Sequence, residues 1–531
     1  NQGGSVPAQW LRASMDTRTA RIVLGEADPD WIDTASDGYL LDVVDPDLAK
    51  DCVALPAACP HCGSDYSRRQ SNSPIRTFRT GFAKVIQVLT RELFTHLSVE
   101  DSRKLVLFSD SREDAAAISN GLERSHHQDL VREALLADLQ IDAIGMPALL
   151  ESIRSEREPV GLAAVTAEAR PESVKWLSER VGAADQIPPA DEPRLLAELR
   201  NKARDDLAEI ESQGSTRIVP VRPLIENPEE DERHPGRLLG RLAVLGVNPA
   251  GNDRKFQNRR WENAEHRWTE LFTGAPFGSE WRDDLVGEAL NLKKEIRDEV
   301  ANQVCRVLFD RSYFGLEAAG LGIPRLDLAE DFKAARAADL GLEASDFSVM
   351  CDSTLRVLGE HFRYHGRWRA SGWDVQDWKS KAWLKGFIEK LATAYGADQT
   401  ALSAALWTAV TSEGRQANAV IAPTRLLVQV ALEADPVWRC QVCRRVHLQD
   451  CRVCTTCNAQ LEREPMTTCG DLWVDHYYAH SASTQRALHR IHSEELTAAT
   501  DDQAARQRQF RDVILPEDAE GRPLVPVVDT I

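Results

Sequence analysis

The sequence predicts a mixed α/β, helix-rich fold, and three observations carry that expectation. Between about residues 140 and 435 Ala, Leu, Glu and Arg abound, with long helical patterns at Leu195 to Ile210, Leu285 to Phe309 and Ser380 to Thr411. Ahead of them, Lys104-Leu105-Val106-Leu107-Phe108 is a compact apolar run too short for a helix. It ends at Ser109-Asp110-Ser111 before an alanine-rich segment, Ala115 to Leu122, and reads as strand, turn, helix. Near the C-terminal end, two Cys-x-x-Cys pairs crowd into Cys440 to Cys457.

The 531 residues suggest roughly three or four structural units. With 43% hydrophobic and 28% charged residues the chain has ordinary globular composition, which disfavours wholesale disorder and a coiled-coil rod. The net charge of -19 argues against a protein that coats DNA by bulk charge, so any nucleic-acid contact has to be local. The longest apolar candidate, Ala401 to Val410, is broken by Ser403 and Thr408 and falls short of a membrane span, so a soluble, cytoplasmic protein without a membrane partner is expected. Asn1-Gln2-Gly3-Gly4 has neither a basic start nor an apolar signal core and lacks an initiator Met, as expected of a piece of a longer protein.

Taken in order, residues 1–75 combine an acidic stretch from Glu26 to Asp51 with little periodicity and read as an irregular lead-in. In residues 76–140, Phe82, Val85, Ile86, Leu89, Leu93 and Leu97 recur at helical spacing as one apolar stripe, with Thr80 as a cap, followed by the strand-turn-helix passage. Residues 141–435 are mainly helical, punctuated by Ile187-Pro188-Pro189, Val219-Pro220-Val221-Arg222-Pro223 and Gly246-Val247-Asn248-Pro249-Ala250-Gly251. No fixed-period repeat supports a solenoid. Residues 436–465 hold the cysteine cluster, and residues 466–531 run through a polar helical stretch to Leu524-Val525-Pro526-Val527-Val528-Asp529-Thr530-Ile531, the approach to a strand.

Eleven cysteines, an odd number of which five fall between Cys440 and Cys457, read as metal binding rather than a disulfide framework. Cys440, Cys443, Cys454 and Cys457 are two knuckles separated by ten residues, the pattern that places four thiolates around one tetrahedral zinc. His447 and Cys451 lie between the knuckles, and either could replace a ligand. Cys451 is assigned as a spare, because using it would shorten the loop and strand Cys457. Such a ribbon is a closed structural site rather than a catalytic one. Cys59-Pro60-His61-Cys62-Gly63 is a second knuckle with only one evident pair. Cys52 could add a third ligand, and an empty loop is the equal alternative.

Ser109, Asp110, Ser111 and Arg112 stand where open α/β sheets place polar working residues, at the carboxyl end of a strand leading into a helix. Ser111 and Asp114 have capping-box spacing, and the free N–H groups of such a helix start can hold a phosphate; an ordinary capped helix start is the competing interpretation. His126, His127, His489 and His492 have no partner pattern that makes them ligands and read as core or surface histidines. Arg486, Arg490, Arg506, Arg508 and Arg511 form a basic patch interleaved with Glu494, Glu495, Asp501, Asp502 and Asp512, the pattern of a solvated, salt-bridged face. No GxxxxGK[ST] loop, acidic box, GxSxG or HExxH occurs, so a self-contained NTPase is not expected.

The run Lys104 to Ala115, with Phe108-Ser109-Asp110-Ser111-Arg112 at its centre, resembles the opening strand and fourth motif of the second RecA-like lobe in superfamily 2 DEAD/DEAH-type helicases. In this version it is similar to the large bacterial helicases of anti-phage defence systems, Druantia-like with DISARM as a neighbour. Thr77 to Phe82, Gly121 to His126, Leu245 to Gly251, the zinc ribbon, Glu494 to Thr497 and Arg506 to Phe510 fit the same group. Glu113 stands where relatives more often carry Gln, and Ala498-Ala499 replaces a Gly-Gln pair. The resemblance implies that residues 76–140 begin a second motor lobe, that residues 141–435 and the ribbon are a long insertion, and that residues 466–531 return to the lobe before its fifth motif. It further implies an ATP-dependent DNA helicase or translocase, using ATP and Mg in the full-length protein, with Ser109, Asp110, Ser111 and Arg112 on the nucleic-acid backbone and other defence-system subunits as partners. No catalytic residue is expected in this segment. Two competing readings are a zinc-stabilised, non-enzymatic adaptor and a metal-dependent phosphohydrolase using Asp110; the cation at Arg112 disfavours the last.

Overall fold

The computed structural model describes residues 8–31, 34–43, 82–97, 105–107, 112–186, 193–227, 233–273, 280–310, 315–364, 371–413, 416–483, 488–493, 504 and 507–508. The chain divides into two units, Asn1–Arg79 and Thr80–Ile531. It is mixed α/β and helix-rich, as the periodicity predicts.

The first unit differs from the irregular lead-in expected of it. Its described part holds a three-stranded antiparallel sheet in the order β2-β1-β3, from β1 (Ala8–Asp16), β2 (Ile22–Leu24) and β3 (Ala35–Val43). The long pairing from Ala8↔Val43 to Asp16↔Ala35 is pinned by polar contacts: Ser14 Oγ donates to Asp37 at 2.7 Å, and Asp16 sits on the turn that Thr19 and Arg18 close.

The second unit opens with α1 (Phe82–His96), the helix that the stripe predicts, but with the opposite face inward. Val85, Leu89, Leu93 and Leu97 are exposed, with Leu89 at 58%, while Gln87, Thr90, Arg91 and Phe94 are buried. The buried set is also spaced at helical intervals, and it is fixed by polar bonds rather than by hydrophobicity. Arg91 pairs with Glu133 at 2.6 Å and donates to Ser481 Oγ, while Tyr477 Oη donates to Glu92 at 2.8 Å. Of the expected strand, Leu105 is a β-bridge residue and Val106 and Leu107 belong to no helix or strand; its other positions lie outside the described residues. The alanine-rich helix is longer than expected: α2 runs over Arg112–Gln140 and continues through a π turn, Ile141–Gly145, into α3 (Met146–Arg154).

Helices α4 (Leu162–Ala169), α5 (Pro171–Asp185) and α6 (Arg194–Thr216) follow, and α3, α5 and α6 bury a small core of their own around Leu149, Leu150, Leu177 and Leu207. Then come β4 (Ile218–Pro220), α7 (Arg222–Ile225), α8 (Arg237–Val244), α9 (Arg254–Gln257) and two hairpins, β5 (Asn258–Trp261) with β6 (Ala264–Arg267) and β7 (Phe272–Thr273) with β8 (Glu280–Trp281). Next, α10 (Gly287–Phe309) buries Leu292, Ile296, Val300, Val304 and Leu308, an unbroken i, i+4 ladder that makes it a central strut of the main core. Strand β9 (Gly322–Leu326) is followed by α11 (Glu330–Leu340), α12 (Ala344–Glu360), α13 (Val375–Ser380), α14 (Ala382–Tyr395) and α15 (Gln399–Thr408).

Strand β10 (Leu426–Val430) joins β4 and β9 in an antiparallel sheet of order β4-β10-β9. Leu426, Val428 and Val430 alternate inward from this central strand, and Pro324 is confined to an edge strand, where a missing N–H is harmless. The chain then builds β11 (Pro436–Arg439), β12 (Val446–His447), β13 (Thr467–Thr468), α16 (Cys469–Asp475) and α17 (Tyr477–Ser483). Among the described residues no helix is long and apolar enough to cross a membrane.

Candidate metal centre and its buried support

The first knuckle is the tip of the β11-β12 hairpin, where Trp438 pairs with His447 and Arg439 with Val446. The second is framed by the bridge between Val453 and Gln460. The two close in the same way. Arg444 N–H donates to Cys440 O at 2.9 Å, and Asn458 N–H donates to Cys454 O at 3.0 Å. Cys440 N–H in turn donates to Arg445 O at 2.9 Å, and Cys454 N–H to Ala459 O at 2.8 Å. Both turns need a left-handed residue directly after the second cysteine, and Arg444 at φ 63 and Asn458 at φ 60 supply it. Asn tolerates that region; Arg adopts it at a cost that the turn offsets.

These turns bring the Sγ atoms of Cys440, Cys443, Cys454 and Cys457 within 4.8 Å of one another, close enough to hold one metal ion. Cys440 and Cys457 lie 3.5 Å apart, as do Cys443 and Cys454. Thiolates about 2.3 Å from a tetrahedral zinc sit roughly 3.8 Å apart, so the donor set fits zinc in number, chemistry and spacing. Crowding already drives two sulfurs toward the charged form. The hydrogen bond with Cys454 lowers Cys440 to about 6, and that with Cys443 lowers Cys457 to about 4, while bonds to its neighbours keep Cys454 protonated. A bound cation would stabilise the thiolates together and pin both turns, a structural role. Cys451 is fully buried outside the four-sulfur group, where burial pushes its thiol up to about 11, in keeping with a spare.

No protein-family model, curated protein or solved structure matches this chain.

The ribbon is joined to the helical core by buried charge. Glu317, 1% exposed, accepts from Arg356, from Arg445 at 3.1 Å and from Leu448 N–H at 3.3 Å. Arg445 also reaches Glu360 at 3.2 Å. The two residues inside the second knuckle cap that same carboxylate: Thr455 donates to Glu360 Oε1 at 3.0 Å and Thr456 to Oε2 at 2.9 Å. From the ribbon's loop Gln449 spans Arg356 and Asp352, and Asp352 is held by Arg325 at 2.5 Å and by Leu326 N–H at 2.9 Å. Burial alone would raise the pKa of Glu317, but Arg356 and Arg445 outweigh it and the net shift is downward. His447, fully buried 4.0 Å from Glu317, has no hydrogen-bond partner on either ring nitrogen among the described residues, and burial lowers its pKa to about 3, which favours the neutral form.

Sequence reading finds the four cysteines but misses this network, because Glu317, Arg356 and Arg445 are separated by long stretches of chain and share no motif. Of the proposed nucleic-acid residues, Ser109, Asp110 and Ser111 lie outside the described residues, and Arg112 begins α2. Cys52, Cys59 and Cys62 also lie outside them. His126 and His127 are core histidines: each meets a backbone carbonyl, His126 that of His489 at 2.8 Å and His127 that of Asn248 at 3.1 Å.

Proposed function

We propose that the chain is a segment of an ATP-dependent DNA helicase or translocase of bacterial anti-phage defence, supplying part of a second RecA-like motor lobe and a zinc-braced accessory region. The sequence Lys104 to Ala115 carries this reading, since an apolar run followed by Ser109-Asp110-Ser111-Arg112 resembles the motif by which a motor lobe grips phosphates. Ser109, Asp110, Ser111 and Arg112 are the candidate backbone contacts. In the full-length protein, ATP with Mg would close two such lobes and hydrolysis would release them, turning closure into movement along DNA. The metal of the ribbon is zinc, and its role is to pin the two knuckle turns of the ribbon that docks on α12. The location is the cytoplasm, with DNA and other defence-system subunits as partners.

The test is ATP turnover with and without DNA. Full-length protein should show DNA-stimulated hydrolysis, reduced about tenfold by Arg112→Ala through loss of one charge-assisted phosphate contact. This chain alone should show none, because it contains no GxxxxGK[ST] loop or acidic box. ATP turnover by this chain, or full-length turnover indifferent to DNA, would contradict the assignment. A zinc-stabilised adaptor that binds protein partners is the second reading, favoured by the exposed apolar stripe of α1. It predicts partner binding with no ATPase in any context.

A further inference from the structure

A cavity of about 300 Å³ lies within the second unit, away from the cysteine cluster, between α2, α10 and the loop that precedes and includes α9. That loop contains Asn248-Pro249-Ala250-Gly251 and is a built wall. Asn248 Nδ2 donates to Phe256 O at 2.9 Å, its Oδ1 accepts Ala250 N–H at 3.0 Å, and its carbonyl meets His127 Nε2 at 3.1 Å. Gly251 turns the wall at φ 86 and lies flat on the His127 imidazole, where an added Cβ would sit 3.4 Å from the ring. The Asn248 side chain thus braces the loop internally, and the Asn248 carbonyl ties it to α2 through His127.

The lining combines charged, apolar and amide groups. Arg124, Lys255 and Arg306 line the cavity and are exposed, and among the described residues none of the three forms an ion pair, although Asp253 and Asp310 also line it and the protein carries a net charge of -19. The walls are apolar and buried, from Val131, Phe256 and Val307. Gln303 also lines the cavity, and its buried amide oxygen has no hydrogen-bond partner among the described residues. Glu299, which accepts from Asn302 Nδ2 at 3.2 Å, stands one turn from Gln303 on α10 and adds a carboxylate, so this side of the cavity asks for N–H donors. A ligand matching all three features is flat, carries an anionic group at one end and amine or amide N–H groups at the other, and fits a pocket at the small end of the usual range. We infer that this cavity binds a nucleoside monophosphate with an amino-bearing base, phosphate toward Arg124 and Arg306 and base edge toward Gln303 and Glu299. The inference is independent of the helicase reading, since it uses neither the Ser109–Arg112 turn nor the ribbon.

Calorimetric titration of the zinc-loaded chain with adenosine monophosphate, adenosine and inorganic phosphate tests it. The monophosphate should bind, and adenosine and phosphate should each bind at least about tenfold more weakly, because each lacks one half of the recognition. Arg306→Glu and Gln303→Met should each weaken the monophosphate by about tenfold or more, whereas Lys175→Glu, on α5 and 83% exposed, should leave it unchanged. Unchanged far-ultraviolet circular dichroism and zinc content show that the variants are folded. Absence of binding at millimolar monophosphate, equal binding of phosphate or of adenosine, or wild-type affinity in both cavity variants would overturn the proposal.

Discussion

Replacing Glu317 is the most direct probe of how the ribbon is held. The carboxylate accepts two guanidinium groups and one backbone N–H at 1% exposure, so Glu317→Ala removes three charge-assisted bonds and leaves Arg356 and Arg445 facing a void. Removing one partner from a buried ion pair costs about 3–5 kcal/mol. Each arginine keeps another partner, Ser353 Oγ at 2.9 Å for Arg356 and Glu360 at 3.2 Å for Arg445, which puts the expected loss near the lower end, about 3 kcal/mol. Glu317→Gln retains one acceptor oxygen and should cost about half of that. Urea unfolding followed by tryptophan fluorescence gives the stability change, and hydrogen exchange of the amides of Arg445 to Thr456 localises it. A double-mutant cycle with Arg445→Ala should return a coupling of about 1–3 kcal/mol. If Glu317→Ala costs under about 1 kcal/mol, or the two substitutions add independently, the network does not hold the ribbon in place. The pH dependence has a defined sign: the folded pKa of Glu317 is below its ordinary value, so its stabilisation is present above about pH 4.3 and is lost as pH falls through the folded value.

Three further outcomes are expected. Cys440→Ser or Cys457→Ser should lose about one zinc per chain by metal analysis and loosen both knuckle turns in hydrogen exchange; unchanged zinc content would refute the ligand set. Gly359→Ala places a methyl 2.2 Å from the buried Phe309 ring where α12 crosses α10, and should cost about 1–3 kcal/mol in denaturant midpoint, partly recovered by Phe309→Leu, whereas a neutral effect would mean that this crossing is not close-packed. His126 donates Nε2–H to His489 O and has an unpartnered Nδ1, so burial holds it neutral with a pKa of about 3; stability should therefore fall as pH drops from about 6.5 toward 3, and His126→Gln should flatten that slope in urea titrations between pH 7 and 5.

How much was legible in the sequence depended on the range of the interaction responsible. The i, i+4 ladder of α10 and the alternation in β10 carry their own signal, because one face of each buries apolar side chains. In α1 the periodicity predicts the helix and misdirects its orientation. Phe94 and the bonds of Arg91 to Glu133 and Ser481 turn a mostly polar face inward and leave Leu89 and Leu93 exposed, a choice made by partners far along the chain. In the β1-β3 sheet, Ser14 and Asp37 bond across the pair, a contact between residues that the sequence does not link.

The sequence by itself determined the helix-rich α/β class and the four-sulfur cluster. A knuckle is a local object: two cysteines, two intervening residues and one left-handed residue specify the turn, and ten residues of loop suffice to bring two turns together. Only the tertiary structure decided what the ribbon rests on, which face of α1 is buried, and that the Asn248 to Gly251 loop walls a cavity with His127. Those outcomes join residues separated by long stretches of chain, where side-chain geometry after packing, rather than spacing along the sequence, selects the partner.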